Sequence, residues 1–138
     1  DLSEIATYAR VDNTQYRLLK ATTPGSYTFI LEGTRELPRR LLHPKRKTIG
    51  LRVPNHPIAL ALLQELDEPL LTSTLILPGL EAPLADADEI RERLEKLLDL
   101  VIDAGSCGSE MTTVINLTGA QPELVRAGQG PLEPFGLA

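Results

Sequence analysis

Residues 48–54 read Thr48-Ile49-Gly50-Leu51-Arg52-Val53-Pro54, an apolar, β-prone run with an arginine at its end, just before a valine and a proline. Such a run is typical of a β-strand, because branched aliphatic residues favour strands and a proline stops strand pairing. A guanidinium at the end of a buried strand is costly unless a carboxylate or phosphate pairs with it. Arg52 is therefore a candidate anion-binding residue, and a salt bridge to an internal acidic residue is the structural alternative.

Two further runs place hydroxyl groups or an arginine next to an apolar, strand-like segment. The first is Pro69-Leu70-Leu71-Thr72-Ser73-Thr74, and the second is Thr112-Thr113-Val114 followed by Arg126-Ala127-Gly128. Ligands of open α/β sheets bind where strands end beside the starts of helices. Either threonine run alone would indicate only a strand, because threonine is a common strand residue. Two arginines and several threonines near strand ends together indicate a substrate with both a carboxylate and a phosphate.

The remainder of the chain alternates predicted strands with predicted helices. We expect strands over residues 27–31, 48–53, 69–73, 100–102, 113–117 and 123–126. We expect helices over residues 13–20 with Asn13 as the cap, 38–43 with Pro38 in the first turn, 55–66, and 86–98. This alternation, closed by two strands in succession, is typical of an α/β protein whose sheet has mixed strand directions.

Composition places the chain among globular proteins and excludes several classes. Its 138 residues suit one domain, and 42% hydrophobic with 24% charged residues is an ordinary balance. No apolar run approaches the roughly 18 residues that a membrane helix needs. The single cysteine, Cys107, excludes an internal disulfide, and it has no second cysteine or nearby histidine to form a metal site. We therefore predict a cytoplasmic protein without a bound metal. The sequence also lacks a Walker loop, a dinucleotide fingerprint and a nucleophile-elbow motif.

Positive charge is concentrated in one part of this acidic chain, whose net charge is −5. Residues 35–52 contain seven basic residues and one acidic residue. Such a segment can mark a polyanion site, and the alternative is a solvated helix and turn. No aromatic residue lies among the bases, which argues against stacking of single strands and leaves contact with the phosphates of double-stranded RNA. The candidate RNA-binding residues are Arg39, Arg40, Lys45, Arg46 and Lys47.

Five sequence segments, in their order along the chain, resemble the YrdC-like domain of threonylcarbamoyl-AMP synthases. The matching segments are Pro24-Gly25-Ser26-Tyr27-Thr28, Thr48 to Pro54, Pro69 to Ile76, Thr112-Thr113-Val114 and Arg126-Ala127-Gly128. The basic stretch from Arg39 to Lys47 and the phrase Leu75-Ile76-Leu77-Pro78-Gly79 are similar to the YciO branch in particular. The likeness covers nearly the whole chain.

The resemblance implies a twisted open mixed α/β sheet with flanking helices and a deep, positively charged cavity. It implies an enzyme class, the nucleotidyltransferases that condense threonine, bicarbonate and ATP to threonylcarbamoyl-AMP for tRNA modification. By the resemblance, Arg52 and Thr112 would bind threonine, and Thr48, Thr72, Thr74 and Arg126 would line the ATP side. ATP would enter as a substrate with Mg²⁺ on its phosphates, and catalysis would consist mostly of positioning and charge stabilisation.

Two departures from the family pattern weaken the expectation of full synthase activity. The family phrase Ser-Ala-Asn is Thr74-Leu75-Ile76 here, so one amide contact to the nucleotide should be lost, worth about 1–3 kcal/mol if it is buried. The family's early Lys-x-Arg motif has no counterpart, so we expect a partial domain over residues 1–138 that lacks the N-terminal part and matches the C-terminal two-thirds.

Three functional hypotheses follow. The first is a YciO-type protein linked to threonylcarbamoyladenosine in tRNA, which binds nucleotide or RNA in a positively charged cavity. The second is an active threonylcarbamoyl-AMP synthase. The third is a non-catalytic protein that binds double-stranded RNA or tRNA.

Overall fold

The computed structural model describes residues 2–137, which divide into two compact units. The first unit comprises the described residues of Asp1–His56 and Thr112–Ala138, and the second unit is Pro57–Met111. The first unit contains helices α1 (Ile5–Tyr8) and α2 (Asn13–Thr22), and its strands are β1 (Ala9–Arg10), β2 (Tyr27–Gly33), β3 (Thr48–Leu51), β4 (Thr113–Asn116) and β5 (Glu123–Arg126). Single 3₁₀ turns occupy Leu2–Glu4, Arg39–Leu41 and Glu133–Phe135.

The five strands form one open sheet of mixed direction, which confirms the predicted α/β class. β2 is central: it pairs antiparallel with β1 and β3 and parallel with β4, and β4 pairs antiparallel with β5. The β4–β5 register shifts between Val114 and Ile115. Since β5 has one partner, it forms an edge of the sheet.

One face of the sheet carries the core of the first unit. Alternate residues of β2 and β4 point to this face, as the period of two in a strand requires. The buried residues from these strands are Tyr27, Phe29, Leu31, Thr113 and Ile115, with Leu117 just beyond β4. Leu19 of α2 and Phe135 cover them, and the ring centroids of Tyr27 and Phe135 are 5.3 Å apart in an edge-to-face arrangement. Burial of each large side chain stabilises the fold by about 1.5–3 kcal/mol.

The C-terminal segment is attached to the starts of β2 and β4 by buried hydroxyl groups. The fully buried Thr113 hydroxyl donates to the Gly130 carbonyl oxygen at 2.7 Å and accepts from the Gly128 backbone N–H at 3.1 Å. The phenol of Tyr27 donates to the Pro131 carbonyl oxygen at 2.7 Å. These bonds satisfy polar groups that burial would otherwise leave unpaired.

The second unit contains helices α3 (Pro57–Leu66) and α4 (Ala87–Leu94), and a 3₁₀ turn at Glu95–Leu97 continues α4. Ion pairs between Arg91 and Asp88 and between Arg93 and Glu89, both at 3.1 Å, support the exposed side of α4. Within Pro57–Met111 the only β pairing described is an isolated bridge between Asp86 and Ser106.

The structure differs from the predicted elements around the first unit's strands. Asp12, not Asn13, caps α2: its carboxylate accepts from the Gln15 backbone N–H, and the Gln15 side chain accepts from the Asp12 backbone N–H. The predicted helix after Pro38 is a single 3₁₀ turn, because the chain turns back at His43 to enter β3. β3 ends at Leu51, one residue before Arg52.

Two predicted strands are wrong. Residues 69–73 and 100–102 are irregular, and Leu71 and Leu100 are 83% and 74% exposed. Both runs are short and apolar, and no described strand hydrogen-bonds with them. A short apolar run cannot persist as a strand without a partner for its backbone groups.

Candidate functional site

The face of the sheet opposite the core carries the polar residues of the candidate site. Thr28, Ile30 and Glu32 alternate with the buried residues of β2 and therefore project from this open face. Residues directly opposite in a sheet share a face. The register thus adds Thr48 and Gly50 from β3, Val114 and Asn116 from β4, and Arg126 from β5.

A concavity of about 600 Å³ lies on this open face. Its polar lining is formed by Glu32, His43, Arg46, Thr48, Asn116 and Thr118. The Asn116 side-chain oxygen accepts from the Thr118 backbone N–H and hydroxyl, so its amide N–H groups remain for a ligand. Glu32 and Arg46 supply opposite charges, and neither makes an ion pair with another residue in the part of the chain described. The concavity can therefore accept a ligand with an anionic group and hydrogen-bonding hydroxyl or amino groups.

A basic turn leads into β3 beside this concavity. It comprises the exposed side chains of Arg39, Arg40, Lys45, Arg46 and Lys47. His43 organises it: the imidazole Nδ1 accepts from the backbone N–H groups of Lys45 at 3.2 Å and Arg46 at 3.1 Å. The His43 backbone closes the loop by donating to the Thr48 carbonyl oxygen at 2.9 Å and accepting from the Lys47 N–H at 2.9 Å. The turn presents its cations from a backbone held by hydrogen bonds.

Arg126 lies on the open face, and Arg52 follows directly after the end of β3. Thr28 pairs with Val114, and Val114 pairs with Arg126. The pairing of β2 with β3 ends at Phe29 and Leu51, and the Gly25 backbone N–H donates to the Val53 carbonyl oxygen at 2.9 Å, which is out of that register. The strand register therefore places Arg126 on the open face and does not extend to Arg52. Arg52 is exposed and makes no ion pair within residues 2–137, so the predicted salt-bridge alternative is not observed.

Thr112 connects Arg126 and Thr28 through hydrogen bonds. Its carbonyl oxygen accepts from Arg126 Nε at 3.2 Å and Nη2 at 2.9 Å, and its hydroxyl accepts from Nη2 at 3.3 Å. The hydroxyls of Thr112 and Thr28 are hydrogen-bonded at 2.8 Å. The structure therefore brings together the predicted site residues Thr112 and Arg126, and it joins neither of them to Arg52 by a hydrogen bond among the described residues.

The other predicted nucleotide-binding residues are distributed between the two units. Thr48 lines the concavity of the first unit. Thr72 and Thr74 belong to the second unit, where they are exposed in an irregular segment, and Ile76 is 40% exposed in the same segment. Their contact with a nucleotide stays a prediction.

Sequence reasoning missed three residues of the open face: Thr28, Glu32 and Asn116. In the sequence of β2, large apolar residues at positions 27, 29 and 31 alternate with the positions of Thr28 and Glu32. This period of two could have placed Thr28 and Glu32 on the face opposite the core. Asn116 could be placed on this face only from the parallel register of β2 and β4.

The described residues contain neither a cluster of metal-binding side chains nor a membrane-spanning helix. Residues 2–137 contain no cluster of three or more His, Cys, Asp or Glu side chains that could hold a metal ion. Within the same residues, none of the helices has the length and apolar character needed to cross a bilayer. Burial, and secondly the nearby negative charge of Glu133, raise the pKa of Tyr27 above its ordinary value of 10.0.

Comparison with known proteins identifies the family of this chain. The model of the Sua5/YciO/YrdC family, described as "Telomere recombination", matches residues 1–128. The chain belongs to this family.

Individual relatives fall in two groups. The chain is 57% identical to YciO of Escherichia coli K12 over 135 residues, which cover 98% of this chain and 66% of that protein. The E. coli YciO crystal structure superposes with a TM-score of 0.93 over the same shares of each chain. The chain thus spans slightly less than two-thirds of the length of this relative.

The second group consists of synthases. The chain is 32% identical over 118 residues to the threonylcarbamoyl-AMP synthase of Pyrococcus abyssi, which covers 84% of this chain and 34% of that protein. The crystal structure of P. abyssi Sua5 complexed with L-threonine has a TM-score of 0.86 and 27% identity over 96% of this chain and 39% of that one. The expected kinship with the YciO branch and with the synthases is confirmed.

Proposed function

We propose that the open face binds an amino acid through its carboxylate, with L-threonine as the ligand, in a YciO-type role linked to threonylcarbamoyladenosine in tRNA. The hydrogen-bonded hydroxyls of Thr28 and Thr112 on the open face carry this proposal, together with the exposed Arg52 at the end of β3. A planar guanidinium pairs with a carboxylate through two parallel N–H donors, and neighbouring hydroxyls add further donors. Arg52 is exposed and has no ion-pair partner among the described residues, so its guanidinium is accessible to an anionic ligand. The L-threonine complex of P. abyssi Sua5 supports the choice of ligand.

A nucleotide is the second component of the proposal, and we assign it to the concavity. Arg46 would face the phosphates, Thr48 would donate a hydroxyl to them, and Glu32 would accept from ribose hydroxyls. ATP would bring Mg²⁺ on its phosphates as part of the substrate. By family resemblance, Thr72 and Thr74 of the second unit remain candidate nucleotide contacts. The family amide is replaced by the apolar Ile76 in the same segment, and this loss favours ligand binding over efficient synthase turnover.

Calorimetric titration of the purified protein with L-threonine, ATP and tRNA in turn tests the proposal. We expect L-threonine to bind and Arg52→Ala to weaken it about tenfold or more, because a hydrogen-bonded charged group contributes roughly 1.5–3 kcal/mol. Arg17→Ala, which removes an exposed arginine of α2, is the matched control and should leave the affinity unchanged. Equal L-threonine affinities for the protein and for Arg52→Ala would contradict the proposal.

Turnover distinguishes a binding protein from a synthase. An active threonylcarbamoyl-AMP synthase must release pyrophosphate from ATP in the presence of threonine and bicarbonate. We expect little pyrophosphate from this protein. Restoring the family amide with Ile76→Asn should raise the release if the second unit supplies a nucleotide contact.

The basic turn supports a second candidate function, binding of double-stranded RNA or tRNA. Its cations are all exposed and are carried by a loop in which the His43 imidazole accepts hydrogen bonds from the backbone N–H groups of Lys45 and Arg46. The double variant Lys45→Glu/Lys47→Glu should weaken tRNA affinity and reduce the salt-dependence slope by about one unit for each lost phosphate contact. The control Arg17→Glu/Lys20→Glu makes the same charge change on α2. An unchanged slope in the first variant would mean that the basic turn is only a solvated surface.

A further inference from the structure

Resting on the second candidate function, the binding of RNA by the basic turn, we propose that His43 is a positioning residue and that protonation of its imidazole releases the centre of the turn. Binding of RNA at this surface is then regulated by pH. His43 is not among the candidate RNA-binding residues, which are all lysines and arginines.

The imidazole of His43 is the acceptor for two backbone groups of the turn. Its Nδ1 atom accepts from the Lys45 N–H at 3.2 Å and from the Arg46 N–H at 3.1 Å. A neutral imidazole carries one hydrogen, and the nitrogen that carries it cannot accept. The two bonds therefore require a neutral ring with its hydrogen on Nε2. In the imidazolium both nitrogens carry hydrogen, so protonation would set an N–H donor against two other N–H donors.

Lys47 gives the turn a strained backbone. Its φ angle is 56°, in the left-handed region that few residues other than glycine adopt. The Lys47 N–H donates to the His43 carbonyl oxygen at 2.9 Å, and the Gly33 N–H of β2 donates to the Lys47 carbonyl oxygen at 3.0 Å. A strained conformation persists only where the surrounding contacts hold it. The turn is therefore ordered by its hydrogen bonds and not by the intrinsic preference of its residues.

The hydrogen bonds of the turn divide into those that depend on the imidazole and those that do not. Backbone bonds close the ends, including the bond from the His43 N–H to the Thr48 carbonyl oxygen at 2.9 Å. A change in side-chain charge leaves these backbone bonds in place. Lys45 and Arg46, in the centre, are held by Nδ1. Protonation should therefore release the centre of the turn and leave its ends closed.

The imidazole is accessible to solvent and lies among charges of both signs. His43 is exposed, and histidine side chains change charge between about pH 5 and pH 8. Arg46 and Glu32 of β2 line the same concavity as His43, and the other described residues of that lining are uncharged. A carboxylate stabilises an imidazolium, and cations destabilise it. The charged residues of the turn and of the segment before it are Arg35, Glu36, Arg39, Arg40, Lys45, Arg46 and Lys47. Protonation of His43 breaks no ion pair that the described residues show.

Release of the centre of the turn should weaken the binding of RNA. Lys45 and Arg46 are two of the candidate phosphate contacts, and Nδ1 holds the backbone that carries their side chains. A disordered segment must be ordered when it binds, which lowers the affinity. The new charge on His43 acts in the opposite direction, but it is one cation against the two that lose their position. The neutral imidazole is therefore the form that favours RNA binding.

Asparagine provides a matched variant that does not titrate. Its Oδ1 atom can accept from the backbone N–H groups of the following residues, as in Asx turns, at every pH. His43→Asn should therefore keep the turn ordered from about pH 7.5 to about pH 5.5, and His43→Ala should leave its centre disordered throughout. His56, the other histidine of the chain, is present in all three proteins and cancels in the comparison.

NMR of the purified, isotopically labelled protein measures the turn directly. At about pH 7.5 the imidazole nitrogen signals should show the hydrogen on Nε2, and the Lys45 and Arg46 amides should be protected from hydrogen exchange relative to an unfolded peptide. At about pH 5.5 their protection should fall about fivefold or more, while the Gly33 amide keeps its protection. In His43→Asn the fall should be less than about twofold. Equal falls in the two proteins, or a hydrogen on Nδ1 at about pH 7.5, would overturn the role of His43.

Affinity for tRNA tests the link with RNA binding. The affinity at about pH 7.5 divided by the affinity at about pH 5.5 should be about threefold larger for the unmodified protein than for His43→Asn. Titration of the RNA and of other residues affects both proteins alike. A ratio that is equal in the two proteins, or larger in the variant, would overturn the regulation of RNA binding by His43.

The outcomes separate this inference from the RNA-binding function. If Lys45→Glu/Lys47→Glu binds tRNA as the unmodified protein does, the RNA function fails and the regulatory role fails with it. The pH response of the Lys45 and Arg46 amides then still decides whether His43 holds the turn. If that double variant loses affinity while His43→Asn has the same pH ratio as the unmodified protein, the RNA function stands and the regulatory role of His43 is overturned.

Discussion

Arg126 donates to both oxygen atoms of Thr112, with Nη2 2.9 Å from the carbonyl oxygen and 3.3 Å from the hydroxyl. This contact bridges β5 and the residue that precedes β4, next to the register shift at Val114 and Ile115. The register shift leaves Val125 of β5 without a paired residue, as a β-bulge does, whereas the donors of Arg126 serve Thr112 at the entry to β4. One side chain therefore stabilises the sheet edge and orients a candidate ligand-binding residue.

Thr113 should be important for stability because its buried hydroxyl has two backbone partners, of which Gly130 is buried and Gly128 is exposed. Thr113→Val keeps the shape of the side chain but leaves the Gly130 carbonyl and the Gly128 N–H without this partner. We expect the free energy of unfolding to fall by about 1–3 kcal/mol, which is the cost of leaving one buried polar group unpaired. Urea denaturation measures the change, and Thr118→Val on the exposed side is the control. Surface substitutions usually change the free energy of unfolding by no more than about 0.5 kcal/mol. A loss below that value would show that water replaces the Thr113 hydroxyl as the partner of both backbone groups.

Gly130 should tolerate no side chain. A Cβ atom there would lie 2.8 Å from the Ser26 carbonyl oxygen and would collide with the Tyr27 ring. Gly130→Ala should therefore destabilise the protein by about 1–3 kcal/mol through overpacking. Gly119→Ala, where the nearest atom is 3.8 Å away, is the matched control. In thermal melts, Gly130→Ala should have a clearly lower melting temperature than Gly119→Ala. Equal melting temperatures would contradict the close packing of Tyr27 and Ser26 around Gly130.

Tyr27 should make stability fall at alkaline pH. Its folded pKa is raised above the ordinary value of 10.0, first by burial and second by Glu133. The neutral phenol is therefore favoured in the folded state, and its contribution is complete below pH 10.0 and is lost as the pH rises through the folded pKa. Tyr27→Phe should flatten the alkaline limb of the stability curve, measured by urea midpoints from pH 8 to 11. An equally steep limb in the variant would assign it to another group.

The cap of α2 can be checked with two neighbouring substitutions. Asp12→Ala removes the carboxylate that accepts from the Gln15 N–H, and we expect a loss of about 1 kcal/mol. Asn13→Ala, at the residue that the sequence favoured as the cap, should change stability by less than about 0.5 kcal/mol. The reverse ranking in urea denaturation would place the cap at Asn13.

Local sequence patterns were sufficient for the central strands and insufficient for the second unit. The alternation in residues 27–33 and the run at 113–116 define strands whose alternate side chains pack on one core, and the run at 123–126 is a strand because it pairs with β4. The runs at 69–73 and 100–102 have similar composition but lack a partner strand, which no local pattern reveals. Asp12 and Asn13 are both good caps, and only the reciprocal bond with Gln15 selects between them.

The candidate site was predictable only in part for a similar reason. Arg52, Thr112 and Arg126 could be selected because each lies beside an apolar run. That Thr112 contacts both Arg126 and Thr28 depends on strand order and register. Such long-range pairing is a property of the folded sheet and not of any single segment.

The most direct measurement of the central claim is an NMR titration of the isotopically labelled protein with L-threonine, following threonine methyl and backbone amide signals. We predict that the largest shifts fall on Thr28, Arg52 and Thr112, while Thr14 and the core residues Phe29 and Ile115 move little. Shifts that are absent, or that are confined to residues away from the open face, would contradict the assignment of this face as an amino-acid site.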